Sequence, residues 1–235
     1  MGDSILNYDI GFFCDFDGTI SENDMIQQIM MHFVPDEAAP IIHKVLSRTL
    51  SVQEGVEALF GLIPSSKYPE VVQFAREATR IRPGFESFVE YCSANNWKFA
   101  VVSGGFDFFV EPAISAVRDQ VDVYCNRIDR AGSRLKVIWD HPCDGLCDGG
   151  CGLCKPTVLQ RYAKNVRQSV VIGDGVTDLK AAKLADYVFA RSGLAKTLQD
   201  MRVPFSPFET FYDVLDEVKT GKLEVFQDVH SKHGS

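Results

Sequence analysis

The chain has no run of roughly eighteen consecutive apolar residues, the least that would cross a bilayer as a helix. Its first residues, Met1-Gly-Asp-Ser-Ile-Leu-Asn-Tyr8, offer neither a basic start nor an apolar stretch of the kind a secretory leader needs. Leu6 stands where a myristoylation signal on Gly2 wants Ser or Thr. These absences predict a cytoplasmic protein with no membrane partner. Basic residues are in deficit: 24 Lys and Arg against 32 Asp and Glu give a net charge of −8. That balance argues against a nucleic-acid partner, which would need a basic face for the phosphate backbone. There is no internal repeat and no low-complexity tract. Cysteines number seven, and an odd count in a chain without an export signal suggests thiols or metal ligands rather than disulfides.

What is present is ordinary globular material: 235 residues, 46% hydrophobic and 24% charged, enough for one α/β domain or for such a core with a small accessory domain. Monomer and homodimer are both compatible with it. Three apolar runs read as buried strands: Ile10-Gly-Phe-Phe-Cys14, Trp97-Lys-Phe-Ala-Val-Val102 and Ser169-Val-Val-Ile172. A strand near 121–126, a hairpin turning at Arg130-Ala-Gly-Ser133 toward a strand at 135–139, and a strand at 187–190 continue the pattern. Between residues 22 and 80 the spacing is helical throughout. Apolar positions from Met25 to Phe33 form a helix that Pro35 stops, a second helix runs from Asp36 to about Arg48, Ser51-Val-Gln-Glu54 is a capping box, and a fourth helix follows Pro69. Further helices are expected at 85–94, 106–117, from Lys155-Pro156, at 177–184, and from a second capping pattern at Ser206-Pro-Phe-Glu209, with a frayed tail from about Asp228. Alternating strands and helices predict an α/β fold: a Rossmann-like, mostly parallel sheet with helices on both faces, plus a small α-helical cap inserted after the first strand. The boundaries are 1–20 and 81–235 for the core and 21–80 for the cap.

Ligands of such sheets bind beyond the carboxyl ends of the strands, and there the polar residues of this chain collect. Asp15 and Asp17 follow the first strand, Ser103, Gly104 and Gly105 the second, and Gly173-Asp-Gly-Val-Thr-Asp178 the third. Alternation of side chains along a strand sends Asp15 and Asp17 into one crevice. Two close carboxylates repel unless a cation lies between them, and a hard divalent ion that keeps waters and accepts a phosphate, Mg²⁺, suits the oxygen donors. The glycines after Ser103 leave N–H groups for an anion. The alternative is a strand end whose acids only cap the next element.

Taken in order, Asp15-Phe-Asp17, Ser103, Lys155 and Asp174 with Asp178 resemble the four motifs of the haloacid dehalogenase-like superfamily of phosphohydrolases, over nearly the whole chain. The insert between the first two motifs resembles the cap of the phosphoserine phosphatase-like branch. That resemblance implies a Mg²⁺-dependent phosphatase with a small phosphorylated metabolite as partner. It makes Asp15 the nucleophile and Asp17 the general acid and base, whose backbone carbonyl also helps hold the metal. Ser103 and Gly104 become the phosphoryl-binding groups, and Lys155 the charge that holds nucleophile and phosphate together. Asp174 becomes a direct metal ligand, and Asp178 a ligand through water or an anchor behind it. Ion-pumping relatives carry Thr in place of Asp17 and halide-removing ones lack that acid. A phosphomutase, and a binding module on the same fold, remain open. Asp24, Met25, Phe33 and Arg48 are the cap residues expected to face the site, against ordinary packing or surface.

Cys143, Cys147, Cys151 and Cys154 crowd before Lys155, with His141 nearby. They could wrap a structural Zn²⁺ that fixes the loop presenting Lys155. Thiols in a glycine-rich loop, or a redox pair at Cys151 and Cys154, are the alternatives.

Overall fold

Tyr8–Cys14 (β1) is buried from Ile10 onward, as the centre of a parallel sheet covered on both faces requires. In this computed structural model, which describes residues 8–144, 150–221 and Leu223, the other strands are β2 (Lys98–Phe106), β3 (Asp122–Asp129), β4 (Lys136–Ile138), β5 (Val166–Gly173), β6 (Tyr187–Ala190) and β7 (Ser206–Pro207). Their order is β4-β3-β2-β1-β5-β6-β7. Every neighbouring pair is parallel except β3 and β4, the expected hairpin. The helices are α1 (Met25–Phe33), α2 (Pro35–Leu46), α3 (Val52–Phe60), α4 (Tyr68–Ala78), α5 (Phe85–Ala94), α6 (Asp107–Ala113), α7 (Lys155–Ala163), α8 (Leu179–Ala182), α9 (Ser192–Asp200) and α10 (Phe211–Lys219). Gly2, Cys147 and the tail expected from Asp228 lie outside the described residues.

Alternation along β1 divides the core in two. Ile10, Phe12 and Cys14 join a cluster with Phe85, Phe88 and Phe99, while Phe13 joins Val158, Leu159 and Tyr162 of α7 on the other face. Phe12 meets Phe88 edge to face at 5.0 Å, and burying each such ring contributes about 1.5–3 kcal/mol. The first cluster does not stop at the sheet. It runs on through Ile29, Met30, Val56, Phe60 and Ile63 of the helical insert, so the insert shares the core's apolar interior.

Local signals explain how the insert starts and stops. Asp24 caps α1 by accepting the Gln27 N–H at 2.9 Å, and Ser51 and Glu54 form the reciprocal box at the head of α3. The chain enters and leaves the insert side by side: Glu22 N–H donates to Arg80 O and Arg82 N–H to Ile20 O, each at 2.8 Å. On the far side the β3–β4 hairpin reaches over, with Leu135 N–H donating to Ile63 O and Ser65 N–H to Ser133 O, both at 3.0 Å.

Several expectations are corrected. β2 continues past Val102 through the glycines to Phe106, with a register shift against β3 in that interval. α6 ends at Ala113, because Pro112 withholds an N–H from its last turn, and a 3-10 segment (Ser115–Gln120) follows. α8 is shorter than the 177–184 spacing suggested. The pattern Ser206-Pro-Phe-Glu209 does not cap a helix. Ser206 is in β7 with its hydroxyl 2.7 Å from the Tyr187 hydroxyl, and α10 begins later under a Thr210–Asp213 box. α9 was not expected at all.

Candidate active site

The carboxyl ends of β1, β2 and β5 lie side by side, because β1 is bonded to both of the others, and the polar residues gather above them. Asp15, the first residue past β1, is tied to the next strand by its N–H, which donates to Ile172 O at 2.9 Å. Lys155, at the start of α7, enters from the Phe13 face and places Nζ 2.6 Å from Asp15 Oδ1 and 2.5 Å from Asp178 Oδ1. All three side chains are at least nine-tenths buried. Oδ2 of Asp178 is occupied as well, accepting the N–H groups of Asp174 (3.2 Å) and Gly175 (3.0 Å). Asp178 is thereby an anchor that shapes the loop after β5. Asp174 accepts from Thr19 Oγ1 at 3.2 Å.

Ligand atoms of Asp15, Asp174 and Asp178 all fall within 4.8 Å of one another. Burial pushes the carboxyl of Asp15 well up, Asp178 adds to the rise, and Lys155 opposes it. Asp174 is raised by burial and then by Asp178. For Lys155 burial acts to lower the pKa, but Asp15 and Asp178 outweigh it and the ammonium is held charged. Excess negative charge without enough counter-charge is what a divalent cation would relieve. The donor set is all oxygen, and Gly18, in the left-handed region at φ +78°, leaves room beside it, since a Cβ there would stand 2.4 Å from Asp174 Oδ2. These residues fit a hard cation such as Mg²⁺.

Asp17 has a hydrogen-bond partner of its own beside this group. The strand alternation ends at Cys14, and residues 16–20 wind into a single turn closed by Ser21 N–H on Phe16 O at 2.8 Å. Asp17 is not among the three carboxylates whose ligand atoms lie within 4.8 Å of one another; its Oδ1 accepts the Met25 N–H at 2.8 Å, while Lys155 and Asp174 still act on its carboxyl. Burial, with Asp24 next, pushes its carboxyl up to about 8. Ser103 is fully buried and its Oγ accepts the Gly105 N–H at 2.9 Å, which leaves the hydroxyl proton for an anion. A Cβ on Gly104 would have nothing within 4 Å, whereas one on Gly105 would meet Phe109 Cζ at 2.5 Å and Asp17 Oδ2 at 2.9 Å.

Of the cap candidates, Asp24 and Met25 are brought to Asp17. Phe33 instead packs edge to face on Phe74 within the insert, 5.8 Å between rings, and Arg48 is exposed in the turn after α2. Three of the clustered cysteines are described, and Cys147 lies outside the described residues. Among the described residues no second group of three ligating side chains comes together, so zinc finds no support. His141 turns its ring to Tyr124, 5.2 Å away, and Cys154 Sγ lies 3.0 Å from Thr157 Oγ1. Burial raises the Cys151 thiol, the opposite of what a reactive redox thiol needs.

Two arginines and an asparagine belong to the site without having been expected there. Buried Arg82 donates from Nε to Thr19 O at 2.7 Å and from Nη2 to Gly18 O at 2.9 Å. Arg191, just past β6, donates from Nη1 to the same Gly18 O at 2.9 Å. Asn126 holds Gly104 O at 3.0 Å. Position at a strand end was the available signal for Arg191; Arg82, in Ile81-Arg-Pro-Gly84, read only as punctuation.

Residues 12–183 match the family of haloacid dehalogenase-like hydrolases. The chain is 46% identical over 210 residues to a protein of Bacillus mycoides (strain KBAB4) named 2-hydroxy-3-keto-5-methylthiopentenyl-1-phosphate phosphatase, covering 89% of this chain and 96% of that one. A protein of the same name from Bacillus thuringiensis (strain Al Hakam) is 45% identical over the same coverage. Among solved structures, a phospho-aspartyl intermediate analogue of phosphoserine phosphatase superposes with a TM-score of 0.68 at 20% identity, covering 89% of this chain and 99% of the other. At that identity the likeness is one of fold.

Proposed function

The chain belongs to the haloacid dehalogenase-like hydrolases, and from that premise we propose that it is a Mg²⁺-dependent phosphatase that works through an aspartyl-phosphate. We propose as its substrate 2-hydroxy-3-keto-5-methylthiopentenyl-1-phosphate, the enol-phosphate of methionine salvage, in the cytoplasm. The reaction class is carried by one observation, the buried Lys155 ammonium between Asp15 and Asp178 beside Asp174. The substrate is carried by 46% identity extending over 96% of a relative of that name.

In this reading an Asp15 oxygen attacks phosphorus and the bond to the ester oxygen breaks. Asp17, whose raised pKa keeps a proton available near neutrality, gives that proton to the departing oxygen. The same carboxylate then takes a proton from water, whose oxygen attacks the aspartyl-phosphate, and the bond to Asp15 breaks to release inorganic phosphate. Lys155 holds the nucleophile against repulsion from the phosphoryl group, with Ser103 and the Gly104 N–H as donors to its oxygens. Asp15, Asp174 and the Asp17 carbonyl would hold Mg²⁺, with Asp178 behind them. When bound there, the ion would supply Lewis-acid stabilisation of the charge on the phosphoryl group. Residues 21–80 act as a cap that excludes water and reads the organic part of the substrate.

Phosphate release from the enol-phosphate, phosphoserine, phosphocholine and an aryl phosphate, with and without Mg²⁺, tests the reading. Release that needs Mg²⁺, is fastest on the enol-phosphate and vanishes in Asp15→Asn supports it. A faster competitor on the panel removes the substrate assignment, and activity that persists in Asp15→Asn removes the mechanism.

A further inference from the structure

The carbonyl oxygen of Gly18 receives two guanidinium groups, Arg82 Nη2 and Arg191 Nη1, each at 2.9 Å. Arg82 spans two consecutive carbonyls, because its Nε reaches Thr19 O at 2.7 Å, and its Nη1 donates to Glu209 O at 3.2 Å. A planar fork with fixed donors can hold two carbonyls in a set relation; a lysine ammonium cannot. Arg191 is braced behind by Glu209, Nη2 to Oε2 at 3.1 Å, yet its Nε is buried without a partner. Its pose is set by Gly18 and Glu209 rather than by satisfaction of its own donors. No carboxylate among the described residues is within ion-pair distance of Arg82, and its hydrogen bonds go to the backbone oxygens of Thr19, Gly18 and Glu209.

Two of those oxygens, of Gly18 and Thr19, lie on either side of the Thr19 side chain along the backbone. Thr19 is fully buried and its hydroxyl donates to Asp174 Oδ1 at 3.2 Å. Gly18, in the left-handed region, closes against the other Asp174 oxygen. The chain of contacts is short and continuous: two guanidinium groups, the carbonyls of Gly18 and Thr19, the Thr19 hydroxyl, and the carboxylate of Asp174.

We propose that Arg82 and Arg191 are positioning residues that, through the carbonyls of Gly18 and Thr19, hold Thr19 and Asp174 in the orientation from which the carboxylate cluster binds a divalent cation. This rests on the reading of that cluster as a Mg²⁺ site. Partners that orient metal ligands from behind are worth about 10–100-fold in metal affinity.

A role through charge alone makes the opposite forecast. A positive charge near carboxylates opposes a second cation, so removing it would tighten Mg²⁺ binding. Removing a positioning group loosens it. The charge-retaining lysine variant separates the two, since it keeps the charge and loses the fork.

The test is calorimetric titration of Mg²⁺ into the full chain stripped of metal, with melting temperature measured alongside. Arg191→Met and Arg191→Lys should both raise the Mg²⁺ dissociation constant about tenfold, and Arg82→Met and Arg82→Lys should do the same. Thr19→Val should match them, and Thr19→Ser, which restores the hydroxyl, should recover most of the loss. If the Arg82 variants fail to fold, the exchanges at Arg191 and Thr19 decide the matter. Tighter binding in the Met variants, full recovery by Lys, or unchanged affinity with only a lower melting temperature would each overturn the inference. If the unaltered chain takes up no Mg²⁺, the metal-site reading falls and takes this inference with it.

Discussion

Asp17 accepts a hydrogen bond at 2.8 Å from the backbone N–H of Met25, the first residue of the first helix of the insert. The proposed acid is therefore held by the element that covers it. Its carboxyl is raised from 3.8 to about 8, first by burial and then by Asp24. A carboxylic acid whose folded pKa lies above its unfolded value leaves stability intact below the unfolded pKa and costs stability as pH rises toward the folded one. The window here is about pH 4 to 8. Asp17→Asn keeps an Oδ1 acceptor for Met25 and has nothing to ionise, so without metal it should melt higher than the unaltered chain at pH 8, with the gap closing at pH 4. Each kcal/mol recovered is worth about 2–4 °C in a chain of this size. Phosphatase activity of the same variant should fall by a factor of about 10² or more. Equal melting temperatures at both pH values would contradict the assigned shift.

Lys155→Met should be costly for a different reason. It leaves Asp15 and Asp178 facing each other in a nine-tenths-buried site with no counter-charge, and breaking a buried pair in this way costs about 3–5 kcal/mol. Urea unfolding at pH 7 should show that loss. At pH 4 the Asp15 carboxyl, raised by its burial, takes up a proton more readily, so the loss should shrink; a deficit that does not depend on pH would point to packing instead.

Gly104 and Gly105 should respond unequally to alanine. A Cβ at 104 meets nothing, but at 105 it strikes the Phe109 ring and the Asp17 carboxylate. Gly105→Ala should cost about 1–3 kcal/mol by overpacking, and Gly104→Ala less than about 0.5 kcal/mol. If Gly104 lines the phosphoryl site, Gly104→Ala should still weaken inhibition by inorganic phosphate or vanadate. Chemical unfolding and inhibition constants check the two halves separately.

The shared interior of sheet and insert predicts a single melting transition. Phe60 of α3 lies 4.6 Å from Phe106 at the end of β2, ring centre to ring centre, and both are fully buried. Phe60→Ala should cost about 3–5 kcal/mol and lower the midpoint of the whole chain. A calorimetric scan with two separate transitions, only one of them shifted, would disprove it.

The parts legible in the sequence were those with a local signature. Ile10–Cys14 and Ser169–Ile172 announce themselves as buried strands by unbroken apolar character, and Ser51 with Glu54 marks a helix start that the fold contains. Asp15, Lys155, Asp174 and Asp178 stand at strand and helix ends, where position in the fold is readable from pattern. The illegible parts depend on partners with no sequence signature. Arg82 and Arg191 bind carbonyl oxygens, which every residue carries. Ser206-Pro-Phe-Glu209 has the spacing of a cap, but Ser206 finds the Tyr187 hydroxyl and Glu209 pairs with Arg191. α9 carries few buried apolar residues, Leu194 and Leu198 one turn apart, with Gly193 in its first turn; that is too sparse a stripe to stand out. The bond that Asp17 accepts from the Met25 N–H likewise comes from a helix start eight residues on, and no local pattern in the sequence announces it.

The hairpin contact, Ser133 and Leu135 with Ser65 and Ile63, bears on how such a chain can be re-engineered. An insert joined to its host only where the polypeptide enters and leaves can be exchanged like a cassette. This one is also sewn along its outer edge by backbone hydrogen bonds, with Leu135 buried at the seam. A chimaera that takes residues 21–80 from a relative must therefore bring that relative's β3–β4 hairpin with it, or leave a torn hem of unpaired amides and apolar side chains facing water.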